Sequence, residues 1–264
     1  MAYEYIIYEK KNHVAYITLN RPERMNALGN DLSWELSDAL MDFENDSDTW
    51  VAILTGAGDR AFSAGADLKD VAASDTFTPE QLAERRKRGR ALSAILSGEL
   101  EITKPLIGAA NGIAYGGGCG LISTCDIIVA AEHARFGLPE ARRSIIATGA
   151  GARFFRSMPR KIASQVLLTG GSISAQEAYQ WGFVNKVVPA SKLMQAAQQL
   201  AEEVLEAAPL AVRASKRYVI NIGLELPVKA ASTLNTGTEV QGTEDQREGP
   251  RAFVEKRKPV WKGR

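Results

Sequence analysis

Histidine and cysteine are scarce in this chain of 264 residues, with His13, His133, Cys119 and Cys125 the only ones present. So few histidines give no footing for a Ser-His-Asp or Cys-His nucleophile. The two cysteines lie six positions apart, which is neither a CxxC pair nor a zinc spacing. They are expected as small buried thiols, with no disulfide and no metal site. His13 opens a strand and His133 sits in the polar turn "AEHARF". Excess charge is absent too: 32 basic and 31 acidic residues leave a formal +1. No global field draws the chain to nucleic acid or to an acidic membrane. Long apolar runs are also missing, so no membrane span is expected. The opening "MAYEYIIYEKKNHV" lacks the pattern of a secretory signal, and a cytoplasmic location is the expectation.

What is present is an ordinary globular mix, 45% hydrophobic and 24% charged. A chain of this length buries roughly three quarters of the surface its unfolded form exposes. Residues 4–9 and "HVAYITL" read as a β-hairpin. Leu32, Leu36, Ala39, Leu40 and Phe43 recur at helical spacing after an Asn30/Asp31 start. "WVAILTGAG" is a buried strand, residues 59–77 a loop of functional character, and 79–102 a helix opened by Pro79. "KPLIGAANG" is a strand, "GGCGLISTCD" begins a helix, and "IIVAAEHARFGLPE" is strand and turn. Two helical stretches, the helix "SAQEAYQWG" and the strand "FVNKVV" follow, and then helices over 190–207, 209–222 and about 243–257. Strand–strand–helix units followed by helices alone predict an α/β or α+β core over 1–190 with a helical region over 191–264.

Within "NGIAYGGGCGLISTCD", Gly116, Gly117 and Gly118 are followed by Cys119 and Gly120. The first turn of a helix carries backbone N–H groups with no partner in the helix, at the positive end of its dipole. Glycine lets a ligand oxygen reach them, so Gly117 or Gly118 is a candidate site for an anion or a developing oxyanion. The alternative is close packing of helix on strand with no ligand. No P-loop lysine follows, and the pattern is not a dinucleotide fingerprint. A second small-residue loop, "RAFSAGADLKD", comes after the strand "VAILTG". Two such loops can aim one N–H each at a single oxygen.

These stretches, with "CDIIVAAEHARFGLPE", "LLTGGSISAQEAYQWGFVNKVV" and "EGPRAFVEKRKPVWKGR", resemble the crotonase superfamily, the enoyl-CoA hydratase/isomerase group. The likeness is colinear from "ITLNRPERMNAL" to the last residue. It implies a spiral of ββα units with C-terminal helices that build a homotrimer or hexamer. It also implies an acyl-CoA thioester as substrate, with its carbonyl oxygen between the N–H groups of Ala66 and Gly117. Arg24, Ala64, Asp67 and Leu68 would contact coenzyme A, as would Phe253 and Lys256 of the tail. No separate cofactor is implied, because coenzyme A enters as part of the substrate.

The hydratases that this chain resembles use two glutamates. The second corresponds to Glu140, after Pro139; at the place of the first stands Gly120, 20 positions earlier. One carboxylate can carry a proton between carbons but cannot by itself hold and deprotonate a water. The following segment departs as well, with Ala147 and Thr148 where the hydratases have Pro-Gly. Gly120 and Thr148 are therefore expected in the acyl pocket, Gly120 as added room. The departures tilt the expectation towards isomerisation or a specialised hydratase or lyase reaction. Examples are a carnitinyl-CoA dehydratase-like activity and one on aryl-propenoyl thioesters. A non-catalytic binder of acyl-CoA or RNA is the competing class. The basic run "ERRKRGR" reads as a solvated helix face more readily than as a phosphate or RNA site. Arg142, Arg143, Arg153 and Arg156 suit either a carboxylate on the acyl group or surface ion pairs.

Overall fold

The computed structural model describes residues 3–73, 77–143, 145–223 and 240–264. Its organisation follows from strands that are apolar on both faces. β3 (Val51–Gly56) is buried along its whole length. It lies between β2 (Val14–Leu19) and β5 (Leu106–Ala110), parallel to both. Strands of this kind belong in the interior of a parallel sheet. The large sheet runs β1-β2-β3-β5-β7-β10, with β1 (Ile6–Lys11), β7 (Ile127–Ala131) and β10 (Lys186–Val188). Only the β1–β2 hairpin in it is antiparallel.

A smaller sheet runs β4-β6-β8-β9, formed by Ala61–Ser63, Ile113–Tyr115, Arg135–Gly137 and Ser172–Ser174. The chain visits the sheets alternately, β3 then β4, β5 then β6, β7 then β8. This is the expected ββα spiral, an α/β fold with two sheets joined by short corners. Period-two burial divides the core. Val51, Ile53, Ile107, Ala109 and Val129 face α9 (Leu193–Leu205). Ala52, Leu54, Leu106, Ala110 and Ile128 face the small sheet and α1 (Asn30–Asn45). The helical stripe Leu32, Leu36, Ala39, Leu40 and Phe43 is wholly buried in that second cluster.

Two expectations need correction. The helix expected over 79–102 is two helices, α3 (Pro79–Arg88) and α4 (Arg90–Ser97). Gly89 ends the first and caps the second. Residues 59–77 are not loop throughout, since they hold β4 and α2 (Leu68–Ala73). The remaining helices are α5 (Gly117–Ile122), α6 (Thr148–Arg156), α7 (Arg160–Thr169), α8 (Ala175–Gln180), α10 (Pro209–Gly223) and α11 (Glu244–Val254). Both cysteines are free, and burial pushes both thiols up in pKa.

The end of α1 is tied to the start of β5 by buried polar groups. Lys104 Nζ donates to the carbonyls of Phe43 (2.6 Å) and Asp46, and its ammonium lies 5.0 Å from the Phe43 ring centroid. The Glu44 carboxylate accepts from Thr103 N–H (3.0 Å), the Thr103 hydroxyl (2.5 Å) and Arg213 Nη2 (3.2 Å). Lys216 Nζ pairs with Asp126 at 2.7 Å and donates to Lys104 O at 2.8 Å, so α10 is fastened to the same place. Lys104→Met keeps the apolar stem and strands two helix-end carbonyls. It should cost about 1–3 kcal/mol in urea unfolding. An unchanged midpoint would show that these bonds carry no net stability.

Candidate active site

β4, β6 and β8 are parallel neighbours, and their carboxyl ends finish side by side. Ligand sites in parallel sheets form beyond those ends. β4 runs into Ser63–Asp67, β6 into Gly116 and α5, and β8 into Leu138, Pro139 and Glu140. Topology thus gathers Ala66, Gly117 and Glu140 at one edge of the small sheet.

The approach of the first two loops is close enough to forbid side chains. Gly65 has φ of 87°, and a Cβ there would stand 2.5 Å from Tyr115 O and 2.9 Å from Gly117 N. A Cβ on Gly117 would lie 3.7 Å from Ala66 N and 3.3 Å from Leu28 Cδ1. Gly118 backs directly onto the Ser63 carbonyl. Gly116, at φ 54°, donates its N–H to Gly137 O (2.9 Å) and turns the chain into α5. The N–H groups of Ala66 and Gly117 donate to no other described residue. Gly117 is the first residue of α5, where no helical partner exists.

The corner below is held by asparagines that sequence reading passed over. Asn26, at φ 52°, donates to Ala57 O (3.0 Å) and Ala61 O (2.9 Å) and accepts from Arg21 N–H (2.9 Å). Asn111 donates to Gly58 O (2.8 Å) and Ala61 O (3.0 Å) and accepts from Gly56 N–H (3.1 Å). The "RMNAL" turn is then stitched to the first loop, with Ala64 N–H on Met25 O (2.9 Å) and Leu28 N–H on Gly65 O (2.7 Å). The only sequence signal for these roles was an Asn beside small residues at a turn.

Glu140 lies in a short 3-10 turn, Pro139–Arg143, with its carboxylate over Gly116. Its Oε1 is 3.1 Å from where a Gly116 Cβ would be. Its Oε2 is shielded from solvent, with no hydrogen-bond partner among the described residues. Burial raises its pKa above the ordinary carboxylate range, against smaller opposing effects from its own backbone N–H and from Arg143. The same carboxylate helps push up the Cys119 thiol, after burial. Such a carboxylate is a stronger base than a solvated one.

Asp67 is 5% exposed and faces inward. Its Oδ2 stands 3.3 Å from Arg21 Nη1 and 3.6 Å from Arg24 Nη1, and its Oδ1 accepts from Lys69 N–H at 3.0 Å. It therefore closes the first turn of α2 and ties the chain just after Ala66 to the Arg21–Arg24 turn. Arg24 is partly exposed, Ala64 half-buried, and Leu68 49% exposed on the near end of α2. Lys256 is exposed just past α11, and the tail's polar contacts run to Glu206 and within itself. The Phe253 side chain lies outside the described residues. Thr148 is exposed at the start of α6.

Gly120 does not provide the expected room. It is buried, and a Cβ on it would meet Ala150 Cβ at 2.7 Å. The missing side chain admits α6 rather than open space. Two of the four arginines after Glu140 are engaged by the protein. Arg142 Nε donates to Thr169 O (2.8 Å), and Arg153 pairs with Glu101 (3.1 Å). In the basic run, the guanidinium of Arg85 lies 3.9 Å from the Phe77 ring centroid and that of Arg88 lies 4.2 Å from Trp34. Among the described residues no three His, Cys, Asp or Glu are grouped to hold a metal ion, and no helix is long and apolar enough to cross a membrane.

The sequence profile of the enoyl-CoA hydratase/isomerase family matches residues 9–264. The chain belongs to the enoyl-CoA hydratase/isomerase family. A carnitinyl-CoA dehydratase from Salmonella typhi is 40% identical to this family member over 255 residues, 94% of each chain. An enoyl-CoA hydratase from Bacillus anthracis shares 36% identity at a TM-score of 0.88, covering 99% of this chain and 100% of that one. An enoyl-CoA hydratase/isomerase from Mycobacterium paratuberculosis shares 36% identity at a TM-score of 0.86 over the whole of both chains. The protein is thus an enzyme of enoyl-CoA hydratase/isomerase type. Within that frame, Asp67→Ala should leave Arg21 facing an empty pocket and free the first turn of α2. A loss of about 2–3 kcal/mol is expected in chemical unfolding. A loss below ~0.5 kcal/mol would remove Asp67 from the bracing role.

Proposed function

We propose that this enzyme binds an acyl-CoA thioester with its carbonyl oxygen between the N–H groups of Ala66 and Gly117, and that Glu140 is its one proton carrier. The observation that carries this reading is the solvent-shielded Oε2 of Glu140, without a partner among the described residues, beside two amides from separate loops that donate to no other described residue. A buried polar atom without a partner is costly, and active sites are where that cost is kept.

In this reading Glu140 takes a proton from the carbon next to the thioester carbonyl. The electron pair moves onto the carbonyl oxygen, where the two amides meet it. One such preorganised donor is worth about 3 kcal/mol in other enzymes. Glu140 then returns the proton to a different carbon, which shifts a double bond. With a β-hydroxy substrate, Glu140 returns that proton to the departing hydroxyl instead, the C–O bond breaks as the enolate electrons form the α–β double bond, and water leaves. The 40% identity to a carnitinyl-CoA dehydratase favours that second outcome. Arg24, partly exposed on the turn stitched to the Ala66 loop, is the cation this reading assigns to the phosphates of coenzyme A. Coenzyme A arrives with the substrate, and the chemistry needs no further cofactor. Self-association as a homotrimer or hexamer and a cytoplasmic location belong to the same reading.

The test is solvent-deuterium exchange into a panel of enoyl- and hydroxyacyl-CoA esters, followed by NMR. Exchange at the α or γ carbon is expected for the parent enzyme and none for Glu140→Gln. Binding without exchange would make the protein a binder. The raised pKa adds two expectations with opposite signs. Glu140 must be ionised to act, so the rate falls as pH drops through its raised pKa. Burial in the folded state disfavours the charged form relative to the unfolded chain. The stability contributed by this group is full below the ordinary carboxylate pKa and is lost as pH rises through the raised value. Glu140→Gln should therefore melt higher than the parent at about pH 7.5, with the gap closing by about pH 4. A parent that melts higher at neutral pH would contradict the buried-carboxylate account.

A further inference from the structure

Resting on the acyl-CoA reading, we propose that Arg142 is a positioning residue for Glu140, locking the turn that carries this carboxylate onto the end of α7. A carboxylate rich in hydrogen bonds is aimed by its partners. Glu140 Oε2 has none among the described residues, so the backbone that bears it must do the aiming. That backbone is the single turn Pro139–Arg143. Pro139 brings no N–H, and Ala141 brings no polar side chain. Main-chain bonds flank the turn: Leu138 N–H donates to Gly171 O at 3.3 Å, and Ile145 N–H donates back to Glu140 O at 3.1 Å. Between them, Arg142 reaches across to another element, with Nε donating to Thr169 O at 2.8 Å.

The contact is shaped from both sides. Gly170 ends α7 in a left-handed conformation, at φ 60°, and is buried. A Cβ on it would stand 2.7 Å from Arg142 Cγ and 3.2 Å from Cδ, so the stem of the arginine lies directly on the glycine. Thr169 O is among the last carbonyls of α7, which have no donor within the helix, and the helix dipole favours a cation there. α7 is a firm base: Ala163 and Val166 are buried in the core, and Gly171 leads straight into β9, the partner of β8. The lock therefore refers Glu140 to the same small sheet that places Gly117. Arg142 acts through position, with its guanidinium committed to α7. The charge that bears on the Glu140 carboxylate is that of Arg143 on the same turn, and the Cys119 thiol on α5 senses Glu140 in return.

The experiment reads two things in Arg142→Ala, Arg142→Lys, Gly170→Ala and Arg143→Met: the kinetics of proton exchange into an acyl-CoA ester, and the titration of the Glu140 carboxyl by carbon NMR in the ligand-free protein, assigned against Glu140→Gln. Arg142→Ala should lower kcat at least ~10-fold with KM within about 2-fold of the parent. Arg142→Lys keeps the stem and a donor, and should stay within about 3-fold in kcat. Loosening the turn lets the carboxylate meet water, so the titration midpoint should fall towards the ordinary carboxylate value in Arg142→Ala and in Gly170→Ala. Arg143→Met removes a favourable charge and should move the midpoint the other way. Should Arg142→Ala not fold, Gly170→Ala carries the same titration from the α7 side. An Arg142→Ala variant that only melts lower, with kcat and the Glu140 midpoint unchanged, overturns the proposal and leaves Arg142 as a cap on α7. A midpoint that rises in Arg142→Ala, as in Arg143→Met, overturns it too, since Arg142 would then act by charge. A parent that exchanges no proton of any acyl-CoA ends the acyl-CoA reading separately, and the titration still decides whether Arg142 positions Glu140.

Discussion

Everything at the candidate site depends on two backbone segments approaching to a distance that no side chain would permit. Gly65 stands under the Tyr115 carbonyl and the Gly117 N–H, in a left-handed conformation open to glycine and costly for other residues. Because the contact is main chain against main chain, its geometry is set by strand ends and corners rather than by rotamers. β4 and β6 fix the distance by pairing, and Asn26 and Asn111 fix the corner by satisfying three main-chain carbonyls between them. Glycine gives up conformational entropy to do this, which the surrounding two-sheet core offsets through burial.

Two carboxylates in the same neighbourhood, one buried and one half-buried, are treated in opposite ways. Asp67 faces a pair of guanidinium groups and caps a helix, so its charge is spent on holding the loop. Glu140 stands over a glycine, and its own backbone N–H and Arg143 steady its charge less than desolvation disfavours it. The fold stabilises the first charge and leaves the second exposed to the cost of desolvation. A group kept in that state gains its stabilisation when something else arrives.

The sequence carried the outline of this well where local periodicity reports it. The α1 stripe, the buried strands and the strand–strand–helix rhythm were legible, because burial on one or two faces leaves a pattern in composition. The glycine run pointed to a close approach, and the loop around Gly65 pointed to a second. What glycine cannot say is what approaches it. At Gly117 the neighbours are the Leu28 side chain and another loop's amide, whereas at Gly120 the neighbour is the Ala150 methyl of a helix thirty residues on. Local pattern likewise joined α3 to α4, since Gly89 differs from a tolerated helix glycine only through the caps around it. The inward turn of Asp67 towards Arg21 depends on contacts across 46 residues of chain and had no local signature.

The alternation between sheets also bears on how the chain is made. In the large sheet only β1 and β2 pair across a tight turn, and each later strand must cross over to find its neighbour. The last, β10, covers the flank of β7 only once residues 186–188 have been synthesised. Until then a growing chain leaves the ribosome with a strongly apolar strand flank open to other polypeptides. Exposure of that flank during synthesis is thus a cost of the same winding that lines up the three strand ends.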